Sequence, residues 1–174
     1  MEPGREEHLM FAKHFERAQG WLLLENHAAA ERALRLIPSA FRGRSEVQQF
    51  RAQLYLAAGR WARAVPLLRK LVKADPSEAQ YWVSLAFAVR RADSIAAAEK
   101  ILREARERFP QEAVIWFNLA CYAAQQDRLP EAHNWLREAV RREAAYRELA
   151  KTDTDLAPFW KAVADGVIAA PWGD

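Results

Sequence analysis

Apolar residues recur along this chain at the three- and four-residue spacing of amphipathic helices. Near the start, Leu9 and Phe15 belong to such a pattern, which predicts a helix over residues 9–24. Asn26 is a suitable N-cap for a second helix over residues 27–36. Runs of alternating β-branched residues are absent, so we expect an all-α protein with little or no strand.

The same apolar pattern occurs three times at an interval of 34 residues, because residues 45–72 align with residues 79–106 and 113–140. Each unit has two helical segments. Small residues recur in register in both segments, at Ala52, Ala86 and Ala120 and again at Ala64, Ala98 and Ala132. Such positions let paired helices approach closely. A fixed interval with two helices per unit indicates a helical repeat array.

Turn residues separate the two helices of each unit. Gly59 follows the first helix of the first unit, where we expect a left-handed backbone. Asp93 or Ser94 in the second unit and Asp127 in the third are expected to cap the helix that follows.

After the third unit the period ends. Leu156, Phe159 and Val163 lie on one face of a further predicted helix that extends to about residue 168. The last unit of a repeat array needs a cover for its apolar face, and this helix is expected to supply it.

The repeated units resemble the tetratricopeptide repeat family. Its characteristic positions are filled by Trp82, Leu85, Ala86, Ala98, Leu102, Ala105 and Pro110 in one unit, and by Trp116, Leu119, Ala120, Ala132, Leu136 and Ala139 in the next. Gln48 and Arg51 depart from the family pattern, because they stand where Trp and Leu are usual.

The resemblance implies an α-α superhelix, which we expect to form a single domain over residues 1–174. Its expected parts are a degenerate first repeat at residues 9–44, regular repeats at 45–78, 79–112 and 113–146, and a capping helix with a tail at 147–170.

The resemblance also implies a non-catalytic scaffold or adaptor that binds a peptide or partner protein in a concave groove. The groove residues implied by position are Gln49, Gln53, Gln80, Val83, Phe87, Arg90, Arg91, Val114, Phe117, Cys121 and Gln125. The cations with which some members hold carboxylate-terminated peptides are missing here. A carboxylate-clamp co-chaperone is therefore not expected.

Two pairs of groove residues admit a second interpretation. Phe87 and Phe117 are either binding anchors or residues that are buried by the C-terminal helix folding back or by neighbouring repeats. Arg90 and Arg91 either pair with an acidic ligand or solvate the end of a helix, where cations are favoured.

Charge is unevenly distributed along the chain. The segment that begins at Arg32 and ends at Lys73 holds ten basic residues and one acid, Glu46, whereas the whole chain carries only +3. This asymmetry suggests an acidic partner. Two alternatives to peptide binding remain. One is a self-associating or complex-assembly subunit that uses the capping helix and the basic half, and the other, weaker, is nucleic-acid or anionic-surface binding through residues 32–73.

The sequence lacks the motifs of catalysis and metal binding. There is no glycine-rich phosphate loop, nucleophile elbow or HExxH motif, and the four histidines have no ligand partners at metal spacing. We expect neither an enzyme nor a cofactor. No apolar run is long enough for a transmembrane helix, the charged start lacks a signal-peptide core, and Cys121 is the single cysteine. These features predict a cytoplasmic protein.

Overall fold

The structure, a computed structural model, describes residues 4–172. The chain forms two compact units, one that ends at Pro76 and one that begins at Ser77. Within the described residues all regular structure is helical, as the apolar spacing predicts.

The first unit contains four α-helices, which are α1 (Arg5–Leu23), α2 (His27–Arg35), α3 (Ser45–Ala57) and α4 (Trp61–Ala74). They pack as two pairs, α1 with α2 and α3 with α4. Asn26 caps α2 as predicted, because its side chain accepts a hydrogen bond from the Ala29 N–H at 3.0 Å.

The first helix begins before the apolar pattern does. It starts at Arg5 rather than near Leu9, because Glu6 and Glu7 occupy its first turn, where negative charge is favoured. The Glu7 carboxylate also accepts a hydrogen bond from the Gly4 N–H at 3.2 Å. An apolar period reports only the buried face of a helix, so a first turn stabilised by charge escapes it.

An aromatic cluster packs against the aliphatic core of the first unit. The segment after α2 forms a 3₁₀ helix, Ser39–Phe41, which places Phe41 in the interior with no exposed area. Phe41 stacks on Phe11 with 4.8 Å between ring centroids, and Phe11 stacks on Phe15 at 5.5 Å. This short segment therefore supplies a core residue where a regular repeat would continue its second helix.

The second unit contains six α-helices in the described residues. Their bounds are α5 (Ala79–Ala92), α6 (Ile95–Arg108), α7 (Ala113–Gln125), α8 (Leu129–Arg142), α9 (Tyr146–Thr152) and α10 (Ala157–Ala164). The pairs α5–α6 and α7–α8 are its regular repeats. The small residues that recur at 34-residue spacing are buried in both units, namely Ala52, Ala64, Ala86, Ala98, Ala120 and Ala132.

The turn between paired helices repeats its backbone conformation. Glu25, Gly59 and Asp127 all have positive φ, at 54°, 66° and 57°, and their numbers differ by 34 and 68. The first helix pair thus shares the turn geometry of the first and third regular repeats, whereas Asp93 at the equivalent position of the second has φ −135°. The prediction for Asp127 is wrong, because Asp127 lies in the turn and the N-cap of α8 is Arg128, without a side-chain cap. In the second repeat, Ser94 is the cap and accepts from the Ala97 N–H at 3.2 Å.

The C-terminal segment, residues 146–164, covers the last repeat. It comprises α9, a 3₁₀ helix (Thr154–Leu156) and α10, and it packs against α7 and α8. Leu156 and Phe159 are fully buried, as the prediction of a covering helix requires. The helix is shorter than predicted, because it ends at Ala164 before the left-handed Gly166.

Candidate partner-binding surfaces

The implied groove residues of α7 are largely enclosed. Phe117 is 5% exposed and Cys121 2%, while Val114 is half-buried and Gln125 exposed. The Phe117 ring lies 4.8 Å from the ring of Tyr146, the first residue of α9. Gln125 donates a hydrogen bond from Nε2 to the backbone oxygen of Asp155 at 2.8 Å. The chain's own C-terminal segment therefore occupies this face of α7.

Arg90 also contacts the C-terminal segment. Its guanidinium donates two hydrogen bonds to the Asp155 carboxylate, with Nη2 at 2.6 Å from Oδ1. These bonds hold the pKa of Asp155 below its usual value and raise the pKa of Arg90. The acid that faces Arg90 is thus supplied from within the chain.

Cys121 lies beside two carboxylates. Its Sγ and one oxygen each of Asp153 and Asp155 are within 4.8 Å of one another, a grouping that could hold a metal ion. Two observations oppose that use. Asp155 is engaged by Arg90, and burial raises the pKa of the Cys121 thiol, whereas a metal needs the thiolate. The arrangement favours an ion pair beside a neutral thiol.

The implied residues of α5 are more open. We call Gln80, Val83, Phe87 and Arg91 the α5 surface. Phe87 is 37% exposed, and the Arg91 guanidinium lies 5.6 Å from its ring centroid, within cation–π range. Gln80 donates from Nε2 to the Ser84 hydroxyl at 3.1 Å. Aromatic, cationic and amide groups are therefore available along one helix.

In the first unit, the implied residues Gln49 and Gln53 lie on α3, and both are exposed. The basic segment is partly neutralised there by Glu31, which the count of residues 32–73 does not include. Arg35, Arg60 and Arg63 all pair with the Glu31 carboxylate. Burial would raise the pKa of Glu31, but hydrogen bonds from Arg60 and Arg35 outweigh it and lower the pKa.

Sequence reasoning missed a buried carboxylate in the second unit. Glu99 accepts hydrogen bonds from Arg103 Nε at 2.8 Å and from Gln126 Nε2 at 3.0 Å, and a further one from Arg128. The three donors come from α6 and from the turn between α7 and α8. The 34-residue register gives no signal for this contact, because only one repeat has it.

Comparison with known proteins identifies the family to which this fold belongs. A family model described as the tetratricopeptide repeat matches residues 51–113 and 88–148, which together span more than half of the chain. The chain belongs to the tetratricopeptide repeat family. The resemblance drawn from the repeats is thereby confirmed, and this tetratricopeptide fold is that of a protein-interaction scaffold.

Solved structures agree with this tetratricopeptide assignment. MamA from Desulfovibrio magneticus RS-1 is 15% identical, with a TM-score of 0.68 over 94% of this chain and 93% of that one. The tetratricopeptide protein TTC0263 of Thermus thermophilus is 16% identical, with a TM-score of 0.60 over 91% and 92%.

A Thermobaculum terrenum O-GlcNAc transferase is 20% identical, with a TM-score of 0.64 over 81% of this chain but only 27% of the transferase. Such low identities show the fold alone. A search of curated protein sequences found no match. Among the described residues of this tetratricopeptide chain, no helix has the length and apolar character needed to cross a membrane.

Proposed function

We propose that the chain is a non-catalytic adaptor that binds a peptide or partner protein, and that the α5 surface is its principal contact. The supporting observation is Phe87. It is the only aromatic among the large apolar side chains that are exposed in the described part of the second unit, the others being Leu149 and Val167. Interface anchors are commonly aromatic or arginine side chains, and here Phe87 and Arg91 adjoin.

The α7 residues take a supporting role in this proposal. Phe117, Cys121 and Gln125 hold the C-terminal segment, so they shape the repeat rather than contact a ligand directly. Arg90 does the same through Asp155. Of the implied cations, this leaves Arg91 for a partner.

The proposed ligand carries an apolar anchor for Phe87 and an acidic group near Arg91. An extended or helical peptide offers both at suitable spacing. A carboxylate clamp is not proposed, because Gln49, Gln53 and Val114 supply no cations. The single, buried Cys121 is compatible with a reducing compartment, and we propose a cytoplasmic location.

The test is a comparative pull-down from the source cell with quantitative mass spectrometry. We expect the variant with both Phe87→Ala and Arg91→Ala to lose specific partners that the wild-type chain retains. The control variant is Leu149→Ala, which removes an exposed apolar side chain from α9 instead. Equal recovery by all three proteins, with unchanged helicity, would contradict the α5 surface as the contact.

A second candidate function is self-association or assembly into a larger complex. Leu23 and Leu24, at the end of α1, favour it because they are 85% and 72% exposed. Light scattering across a range of concentrations tests this candidate. A mass that rises above 19.9 kDa in the wild-type chain but not in a Leu23→Glu, Leu24→Glu variant would support it.

A further inference from the structure

The first regular repeat departs from the other two at one core position. Leu85 and Leu119 are equivalent by the 34-residue register, and both are buried apolar side chains. The residue equivalent to them in α3 is Arg51, which is half-buried. A cation therefore stands where two sister repeats place a core leucine.

The Arg51 side chain has no hydrogen-bond, ion-pair or ring partner among the residues that the structure describes. Half-burial covers part of the Arg51 side chain, and no bond within the described residues compensates for it. Leucine at this position would avoid that cost, as it does in the neighbouring repeats. The arginine is thus unfavourable for packing, which points to a use in binding.

Arg51 lines a cavity of about 270 Å³ in the first unit. The other residues that line it are Glu31, Leu34, Arg35, Arg42 and Tyr55. Arg42 is held in place, because its Nε donates to the Ile37 oxygen at 2.7 Å and its Nη2 to the Arg35 oxygen at 2.9 Å. Three arginines and Tyr55 therefore line the same cavity.

Positive charge exceeds negative charge around this cavity. Glu31 is the only carboxylate among the lining residues, and it already binds Arg35 together with Arg60 and Arg63 from outside the lining. Arg42 and Arg51 have no carboxylate partner in the described residues. Two guanidinium groups thus remain without counter-charge, which matches the double charge of a phosphate group.

We propose that this cavity binds phosphate, either as inorganic phosphate or as a small phosphate monoester. Guanidinium groups bind phosphate oxygens through paired N–H donors, and Tyr55, which also lines the cavity, carries a hydroxyl that can donate. The volume lies just below that of pockets that hold drug-sized ligands, so it suits the phosphate group with a small substituent. This inference goes beyond the proposed adaptor function and does not depend on the α5 surface.

The test is thermal unfolding and calorimetric titration of the full chain with inorganic phosphate and with glycerol 3-phosphate, at constant ionic strength set by chloride. We expect saturable binding and a rise in Tm. Binding of both probes indicates that the cavity recognises the phosphate group itself. Binding of glycerol 3-phosphate alone indicates that the natural ligand is a phosphate monoester. No response to either probe would overturn the proposal.

The decisive variant is Arg51→Leu, which restores the leucine of the sister repeats. We expect it to raise Tm in chloride and to weaken phosphate binding roughly ten- to a hundredfold, as the loss of a charge-assisted bond implies. Arg69→Leu, an exposed change within the same basic segment, is the control and should bind phosphate normally. Equal losses in both variants would show diffuse electrostatic attraction instead. Arg35→Gln, at an exposed rim residue, should also weaken binding, which provides a second variant should Arg51→Leu misfold.

Discussion

Arg90 of α5 and Asp155 of the C-terminal segment form a two-bond ion pair. The pair ties the first helix of one repeat to the segment that covers the next. Gln125 strengthens the same junction from α7, through the Asp155 backbone oxygen. The C-terminal segment is therefore fixed by specific polar contacts as well as by apolar burial.

Asp155→Asn should lower the free energy of unfolding by about 1–3 kcal/mol, because it removes the negative charge and one of the two acceptor oxygens that face the partly buried Arg90. Urea unfolding followed by far-ultraviolet circular dichroism measures the change. The exposed pair of Lys161 and Asp165 provides the control, and Asp165→Asn should cost under about 0.5 kcal/mol. Similar losses in the two variants would contradict a special role for Asp155.

Glu99 should make stability depend on pH. Burial raises its pKa, but hydrogen bonds from Arg128, Gln126 and Arg103 outweigh it, so the folded-state pKa lies below the usual value. Its contribution is complete above the unfolded pKa of about 4.5 and is lost as the pH falls through the lower, folded-state pKa.

Glu99→Gln should therefore lower the free energy of unfolding at pH 7. Between pH 5 and pH 3 the free energy of unfolding should fall less in this variant than in the wild-type chain. Asp155 and Glu31, whose pKa values are also lowered, leave a residual acid sensitivity in the variant. Unfolding free energies measured across this range test the difference. Parallel curves for the two proteins would show that Glu99 does not titrate with folding.

Alanine substitution should cost more stability at Phe117 than at Phe87. Phe117→Ala should cost about 3–5 kcal/mol, since the ring is buried against Tyr146. Phe87→Ala should cost well under half of that, because Phe87 is 37% exposed. Melting temperatures of the two variants, compared directly, check this order. A larger loss from Phe87→Ala would indicate that the α5 residue is structural.

The turn residue Asp127 should tolerate glycine well. Its positive φ costs a non-glycine residue free energy that glycine avoids, so Asp127→Gly should be stabilising by about 0.5–1 kcal/mol. The reciprocal change, Gly59→Ala, should destabilise, although the added Cβ would meet no atom closer than 3.7 Å. Chemical unfolding curves of the two variants and the wild-type chain measure whether each substitution raises or lowers the free energy of unfolding. A stabilising Gly59→Ala would contradict backbone strain as the cause.

The Cys121 thiol should react slowly with a disulfide reagent unless the C-terminal segment is removed. Burial encloses the thiol and raises its pKa, so a disulfide reagent should react slowly with the native chain. A chain that ends at Thr152 should react much faster, because it lacks Asp155, Leu156 and α10. A chain that ends at Ile168 retains these parts and serves as the control. Fast reaction of the intact chain would contradict the covered α7 face.

The repeat register alone was enough to locate most helices and their buried small residues. The six recurring alanines between Ala52 and Ala132 lie at helix–helix contacts, because two neighbouring helices leave no room for a larger side chain there. This constraint acts at every repeat, so it leaves a period that the sequence displays. Gly59 and Asn26 were predictable for a similar reason, since backbone geometry and capping are local.

Contacts made once, between distant parts of the chain, leave no such period. The residue that pairs with Arg90 lies 65 positions away at Asp155, and Glu99 meets Arg128 across 29 positions. The basic segment at residues 32–73 likewise excludes Glu31, the carboxylate that binds three of its arginines.

The sequence by itself therefore determined the helical repeats, their core and their family, because short-range packing repeats every 34 residues. Only the tertiary structure decided which implied groove residues remain accessible, since that depends on where the C-terminal segment packs. It also decided that Arg51, a departure from the repeat pattern, lines a cavity with two other arginines.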